Sequence, residues 1–350
     1  MRVALVSAST THHAVTDGAE RLQTLVSGLA GRSHDVVVFT ARWWDGDHDV
    51  FEHEGVTHRA VTAGRDDWQF PLRLPTLIRE FEPDVVHATC DRPSHLLGAK
   101  VGAMLAGAPL IAECYDPPKV RGWLDGTLAS LGTRSADAVV TPSRTVRTRV
   151  RELDVPFERV RVLPTGIEMD LIRETTPTDG GDIVYSRRLD DRANLETLLL
   201  ALAEFREYDW EATIVGDGPE RDSYERQARD LRIEDRVNFV GDRSVEERIA
   251  LFKNAHVYVH TAEYTPFAVD LLRALAAGCV AIVEYHQESS AHELVEQEER
   301  GFTATSAQEL TRRLIEAGDL DRADVDESFA DHDLRSFLEA YLAVYRDVQL

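Results

Sequence analysis

The sequence contains little lysine, few cysteines and no long hydrophobic run. Lysine occurs only at Lys100, Lys119 and Lys253, so arginine supplies 36 of the 39 basic residues. Acidic residues number 62, which gives a formal net charge of −23. A surface of this charge repels the phosphates of nucleic acids, so no nucleic-acid partner is expected.

The shortage of lysine among so many Asp and Glu residues favours a halophilic origin. In a salt-rich cytoplasm the self-repulsion of such a chain is screened, whereas in dilute buffer it destabilises the fold. A GC-rich genome with an acidic proteome is the alternative explanation for the same composition.

The cysteines and the hydrophobic runs bear on the location of the protein. Cys90, Cys114 and Cys279 are scattered and form no CxxC pair, so reduced, buried thiols are expected. The longest uncharged apolar stretch, 101–112, is far shorter than the ~20 residues that a spanning helix needs. The first residues turn polar too soon for a signal peptide. We therefore expect a cytoplasmic protein whose membrane association, if any, is peripheral.

Short β-branched runs alternate with helical patterns along the chain, which has 350 residues and is too long for one typical core. Residues 1–174 read as a first domain, and the Thr, Pro, Asp and Gly residues of 175–182 have the composition of a linker. The alternation restarts over 183–325. A C-terminal helix within 326–350 is expected to pack back toward the N-terminal domain.

Continuous apolar strands joined by helices indicate parallel sheets that are covered on both faces. We therefore expect an α/β protein made of two Rossmann-like, doubly wound parallel-sheet domains. Ligands bind at the carboxyl ends of the strands in such sheets, so the two domains are expected to face a central cleft.

Seven short segments resemble, in the right order, the markers of family-4 retaining glycosyltransferases, which have the two-domain GT-B architecture. They are 17–21 (DGAER), 83–88 (PDVVHA), 142–143 (PS), 163–167 (LPTGI), 214–220 (IVGDGPE), 236–241 (RVNFVG) and 274–280 (ALAAGCV). The resemblance covers roughly residues 1–305. It implies an N-terminal acceptor domain and a C-terminal domain that binds a nucleoside-diphosphate sugar.

Several residues are predicted to hold the diphosphate of that donor. Gly18, between the first strand and a helix, lets backbone N–H groups approach an anion; an ordinary tight turn is the alternative. The resemblance assigns Arg188 to the diphosphate and places Ala193 where the family has a lysine. Arg192 is a substitute for that lysine or a solvated helix start. Gly216 and Gly218 allow a close approach of the donor, although packing alone also explains them.

The segment 261–270 follows a strand of the second domain and resembles the donor-binding loop. The family has two glutamates there, whose positions hold Thr265 and Arg273. Glu263 and Asp270 lie nearby and are predicted to supply the missing carboxylates. The alternative for Asp270 is an i,i+3 ion pair with Arg273.

Backbone N–H groups at a helix start are the second feature of this segment. Pro266, Phe267 and Ala268 preserve the loop-to-helix character of the family. We therefore expect phosphate binding by the backbone at this helix start.

The acceptor side also departs from the family. Tyr115 occupies the position of its usual histidine, and a tyrosine still donates a hydrogen bond. His12, in the loop after the first strand, is a second candidate for the acceptor side, with a loose surface histidine as the alternative. The catalytic residue is not assigned, and Glu263, Tyr115 and His12 are its candidates.

One stretch of the sequence is basic. From Lys119 to Arg161 it carries nine basic and five acidic residues. Arg144, Arg147 and Arg151 share one helical face and are predicted to contact anionic lipid or a lipid-phosphate acceptor. Charge pairing with the acidic remainder of the chain is the alternative.

The resemblance implies a glycosyltransferase that moves a sugar, with retention, from a nucleoside-diphosphate sugar to a glycan or lipid-linked acceptor. No cofactor and no metal are expected, because no DxD motif lies in a plausible loop and no paired histidines occur at ligand spacing. Two alternatives stay open: a non-catalytic GT-B protein that binds a partner, and a nucleotide-sugar 2-epimerase.

Overall fold

The computed structural model describes residues 1–116 and 123–349, without the side chains of 123–125. The chain forms two compact units. The first comprises Met1–Thr165 with Arg335–Leu350, and the second comprises Gly166–Leu334. The expected α/β architecture of two doubly wound parallel-sheet domains is confirmed.

The first unit is built on an eight-stranded sheet with the strand order β3-β4-β2-β1-β5-β6-β7-β8. Only β3 and β4 pair antiparallel among these strands. Its elements up to the unit boundary are β1 (Arg2–Val6), α1 (Asp17–Gly31), β2 (Asp35–Ala41), β3 (Val50–His53), β4 (Val56–Thr62), α2 (Phe70–Phe81), β5 (Val85–Thr89), α3 (Pro93–Ala106), β6 (Leu110–Glu113), α4 (Trp123–Arg134), β7 (Ala138–Thr141), α5 (Arg144–Arg151) and β8 (Val160–Val162).

The second unit is built on a six-stranded parallel sheet with the order β11-β10-β9-β12-β13-β14. Its elements are α6 (Met169–Glu174), β9 (Ile183–Ser186), α7 (Leu195–Glu204), β10 (Ala212–Val215), α8 (Arg221–Asp230), β11 (Val237–Gly241), α9 (Val245–Asn254), β12 (Val257–His260), α10 (Val269–Ala276), β13 (Val280–Glu284), β14 (Gly301–Ala304) and α11 (Ala307–Gly318). The last helix, α12 (Leu334–Asp347), belongs to the first unit.

Burial of apolar stripes explains why these segments fold as they do. The strands of both sheets consist largely of fully buried Val, Ile and Ala residues, as parallel strands covered on both faces require. Helix α1 buries Leu22, Leu25 and Leu29 at helical spacing, and its N-cap residue Thr16 accepts a hydrogen bond from the Ala19 N–H at 3.3 Å. Helix α12 adds Tyr341 and Tyr345 to the same core.

The structure departs from the predicted organisation in two places. The unit boundary lies at Thr165 and Gly166, upstream of the predicted linker 175–182, because α6 packs within the second unit. Strands β3 and β4 and helix α2 occupy 50–81, where the sequence predicted no element. Pro71 and Pro75 lie within α2 and obscure its helical pattern.

The prediction of three reduced cysteines is corrected by the structure, in which Cys90 and Cys114 form a disulfide. Both residues directly follow neighbouring parallel strands, β5 and β6, and their Cα atoms are 5.2 Å apart. Adjacent strands are separated by about this distance, so the sheet brings together two residues that are distant in sequence. Cys279 is a buried free thiol.

Candidate functional site

The second unit has one position where the direction of strand connection reverses. Strand β9 connects to β10 on one side, whereas β12, which begins the other half of the sheet, lies on its other side. Ligands of doubly wound sheets bind at the carboxyl ends of the strands at such a switch point. The loops after β9 and β12 flank this position, and they contain Arg188, Arg192 and the segment 261–268.

The loop after β9 presents three arginines with different surroundings. Arg188 and Arg192 are exposed, and the Arg192 guanidinium lies 5.0 Å from the ring centre of Tyr264. Arg187 was not singled out by the sequence, yet its side chain is only 18% exposed and its Nη1 donates to Thr265 Oγ1 at 3.1 Å. Arg187 therefore points into the fold, whereas Arg188 and Arg192 face solvent.

The two glycines after β10 are explained by packing of this same loop. A Cβ atom added to Gly216 would lie 2.0 Å from the carbonyl oxygen of Arg187, and one added to Gly218 would lie 2.2 Å from that of Leu189. Gly216 also has a φ of +123°, which disfavours other residues. The packing alternative therefore accounts for both glycines, which allow the loops after β9 and β10 to lie in contact.

The backbone of the segment 261–268 lies next to the loop after β9 that contains Arg188 and Arg192. The Glu263 N–H donates to the Arg192 carbonyl at 3.1 Å, and the Glu263 side chain is exposed. Pro266 accepts a hydrogen bond from Ser290 Oγ at 2.7 Å. Phe267 and Ala268 are buried at the start of α10, in keeping with the loop-to-helix character of the segment.

Asp270 lies in a buried cluster of ion pairs, in agreement with the alternative that it pairs with Arg273. Its Oδ1 accepts from Arg273 Nη1 at 2.9 Å, and its Oδ2 accepts from Arg248 Nη1 at 2.8 Å and from Ser186 Oγ at 2.6 Å. Arg273 also donates to both carboxylate oxygens of Glu168, at 2.8 and 2.9 Å. These contacts match the ion-pair alternative, and the role of Asp270 in donor binding stays a prediction.

The electrostatics of the cluster agree with its geometry. Burial alone would raise the pKa of Asp270, but Arg248 and Arg273 outweigh it and lower the pKa. Arg273, at the position of the family's second glutamate, is fixed by two carboxylates.

Thr265, at the position of the family's first glutamate, accepts a hydrogen bond from Arg187, and its Oγ1 lies 3.1 Å from the Nε2 of His260. Burial and then Arg187 lower the pKa of His260 to about 3, so its imidazole is neutral.

In the first unit the switch point lies between β1 and β5. Gly18 is in the first turn of α1, and a Cβ atom added to it would lie 3.2 Å from the ring of Tyr115. The sequence-predicted Gly18 and Tyr115 are thus in contact at the carboxyl edge of the sheet. His12, in the loop after β1, is exposed and stacks on Trp43, with ring centres 3.7 Å apart.

A buried charge network lies behind Tyr115 and joins α1, β6 and α12. Arg21 Nε donates to Glu113 Oε1 at 3.0 Å, and Tyr341 Oη donates to Glu113 Oε2 at 2.7 Å. His87 Nε2 lies 3.3 Å from the same Oε2. Burial would raise the pKa of Glu113, but Arg21 and His87 outweigh it, so the pKa is lowered. This network holds the last residue of β6 and the start of α1 in a fixed relation.

The predicted basic face is a surface of α5. The guanidinium groups of Arg147 and Arg151 lie 5.4 and 5.5 Å from the ring centre of Phe157, a residue that is 58% exposed. Lys119 and Arg121, which belong to the same basic stretch of sequence, lie outside the described residues. Within the described part of the chain, no helix is long and apolar enough to cross a membrane.

Both units match known protein families. Residues 17–171 match the model of Glycosyltransferase Family 4, and residues 169–326 match that of Glycosyl transferases group 1. The glycogen synthase of Mycobacterium tuberculosis is 26% identical over 320 residues, which cover 79% of this chain and 76% of the relative.

Two further proteins extend these similarities. The alpha-monoglucosyldiacylglycerol synthase of Streptococcus pneumoniae is 24% identical over 325 residues, covering 77% of this chain and 68% of the relative. The structure of Anabaena HepE in complex with UDP has a TM-score of 0.77 at 17% identity and covers 99% of this chain and 100% of its own. The chain is therefore a glycosyltransferase with the GT-B fold.

Proposed function

We propose that the protein transfers a sugar, with retention and without a metal ion, from a nucleoside-diphosphate sugar to a glycan or lipid-linked acceptor. The observation that carries the proposal is the position of Arg187, Arg188 and Arg192 at the switch point of the second sheet. There they lie beside the loop that leads into α10. Arginine forks suit diphosphate oxygens, and the main task of such a transferase is to neutralise the leaving diphosphate and to position the sugar.

The similarities support a nucleotide donor. Structures of Anabaena HepE are complexes with UDP and with UDP-glucose, and the fold is shared over nearly the whole chain. In our proposal Arg188 binds the diphosphate and Arg192 stands in for the family's lysine, because the lysine position, Ala193, is fully buried. Glu263, exposed beside Arg192, contacts the sugar.

The donor proposal is tested with Arg188→Ala. Binding of UDP- and GDP-sugars and transfer of a labelled sugar are measured in concentrated KCl, with Arg226→Ala, an exposed arginine of α8, as the matched control. We expect at least a tenfold loss of donor affinity, about 1.4 kcal/mol, in Arg188→Ala alone. A loss below about threefold contradicts the role of Arg188. Nucleotide binding without turnover favours the non-catalytic alternative, and formation of an epimer favours the 2-epimerase.

We further propose that the acceptor is reached at the inner face of the membrane through Arg144, Arg147 and Arg151. An exposed aromatic ring flanked by two guanidinium groups suits an interface with anionic lipid, and the surrounding stretch is basic in an otherwise acidic chain. The cytoplasmic location stays a prediction, and the disulfide of the first unit does not contradict it, because intracellular disulfides are rare but occur.

The membrane proposal is tested by sedimentation with vesicles of phosphatidylglycerol and of phosphatidylcholine in low and high KCl. Changing the three arginines to glutamine is expected to weaken binding to the anionic vesicles by roughly a hundredfold, since each contributes about 1 kcal/mol. The same change at Arg226, Arg229 and Arg243, which are exposed in the second unit, is the control. Unchanged binding of the first variant rejects the proposal.

A further inference from the structure

A cluster of aromatic and histidine rings covers part of the first unit and is not used by the donor chemistry. Trp43 is its centre, with five other rings within 5.7 Å of its own, centre to centre. The members of this ring cluster are His12, Trp43, Trp44, Phe51, His53 and His58.

Part of the ring cluster lies at the carboxyl edge of the first sheet. His12 belongs to the loop between β1 and α1, which borders the switch point, and Trp43 and Trp44 follow the end of β2. The other three rings, Phe51, His53 and His58, come from β3 and β4, which pair with Phe51 opposite His58. Through His12 and Trp43 the cluster reaches the edge where a doubly wound sheet binds its ligands.

Two polar atoms of the cluster are not used in hydrogen bonds of the described fold. Trp43 Nε1 and His58 Nδ1 are buried and have no hydrogen-bond partner within residues 1–116 and 123–349. The neighbouring Trp44 differs, because its Nε1 donates to the His48 carbonyl at 2.9 Å. A buried donor without a partner costs about 1–3 kcal/mol of stability. A cluster that served only to pack the fold could use purely apolar rings and would not incur this cost.

The charges around the cluster select the kind of ligand. The segment 42–54 carries five exposed carboxylates and one arginine, Arg42, whose Nη1 lies 3.6 Å from Asp47 Oδ1, so four carboxylates remain in excess. Burial and then neighbouring imidazoles lower the pKa of His12, and that of His58 to about 4, so these rings carry no compensating positive charge at neutral pH. An anion is repelled here, whereas a neutral molecule with hydroxyl groups and apolar C–H faces is compatible with both the rings and their N–H groups.

We propose that the ring cluster is the acceptor site and binds a neutral pyranose against the exposed ring of His12, which Trp43 supports from its other face. The proposal excludes phosphorylated and carboxylated sugars as the acceptor unit. It rests on the proposed function, since it names the class of acceptor for the same transfer reaction.

The test measures sugar binding in the absence of donor. The full chain in KCl is titrated with methyl α-D-glucopyranoside, methyl α-D-mannopyranoside, methyl α-D-galactopyranoside and glucose 6-phosphate, followed by tryptophan fluorescence and saturation-transfer NMR. We expect at least one methyl glycoside to bind, and glucose 6-phosphate to bind at least about tenfold more weakly. His12→Ala and Trp43→Phe are expected to weaken glycoside binding by about tenfold or more.

Trp68→Phe, in a tryptophan that is 74% exposed and outside the cluster, is the matched control and is expected to bind normally. His12→Ala decides the outcome even if Trp43→Phe does not fold, because His12 is exposed. Tighter binding of glucose 6-phosphate, absence of glycoside binding, or full affinity in His12→Ala overturns the proposal. Nucleotide-sugar binding by the same samples separates the two proposals: glycoside binding without donor binding contradicts only the proposed function, and the reverse contradicts only this one.

Discussion

The most informative single change for the first unit is Glu113→Gln. The substitution preserves the shape of the side chain and removes its charge. Arg21, whose side chain is 1% exposed, then keeps a buried positive charge without a counter-ion, although Leu163 and Thr165 still accept hydrogen bonds from it. Breaking one side of a buried ion pair costs about 3–5 kcal/mol.

That cost translates into a large thermal shift. For a unit of this size each kcal/mol lowers the melting temperature by about 2–4 °C, so we expect a decrease of roughly 6–20 °C. Urea unfolding and calorimetry in concentrated KCl measure it. Glu339→Gln is the matched control, because the Arg32–Glu339 pair is largely exposed and such pairs contribute about 0–1 kcal/mol.

A double-mutant cycle isolates the pair itself. Arg21→Met removes the charge that Glu113→Gln leaves unpaired, so the double variant is expected to lose clearly less stability than the sum of the single variants. The reasoning is refuted if Glu113→Gln is no less stable than Glu339→Gln, or if the two single effects simply add.

Three further predictions concern other parts of the chain. Gly216→Ala forces a Cβ atom against the Arg187 carbonyl at an unfavourable φ; we expect a loss of about 1–3 kcal/mol together with weaker donor binding, whereas Gly31→Ala, with no atom within 4 Å of the added Cβ, changes neither. Asp270→Asn should lower the urea midpoint by the equivalent of about 2 kcal/mol or more; lost donor affinity at unchanged stability would instead indicate a ligand contact. Burial and then Arg92 lower the pKa of His95 to about 4, so its neutral form stabilises the fold above pH ~6.5, and this stability is lost as the pH falls toward 4, by about 1.4 kcal/mol per pH unit. His95→Phe should flatten the pH dependence of urea unfolding between pH 7 and 5, and an unchanged slope would contradict the prediction.

The hydrophobic pattern of the sequence was sufficient to predict the fold class. Buried parallel strands need continuous apolar runs and the intervening helices need amphipathic ones, so local periodicity alone indicates two doubly wound sheets. It failed for α2 and for the hairpin of β3 and β4, where internal prolines and half-exposed strands carry no clear period.

The predicted site residues show the same difference between features that local patterns indicate and features that they do not. Arg188, Arg192 and Glu263 lie in loops that follow strands, and Gly18 lies in the first turn of the helix after β1, as their positions after apolar runs indicated. The inward position of Arg187 was not predicted, because it depends on a contact with Thr265, which is far away in sequence.

Local patterns and composition were enough to predict the architecture, the acidic character and the family resemblance. The folded structure was needed to show that Asp270 pairs with Arg248, that Cys90 meets Cys114 and that five rings gather around Trp43. These outcomes depend on contacts between residues that are distant along the chain, and such contacts are set by the order in which strands align in each sheet.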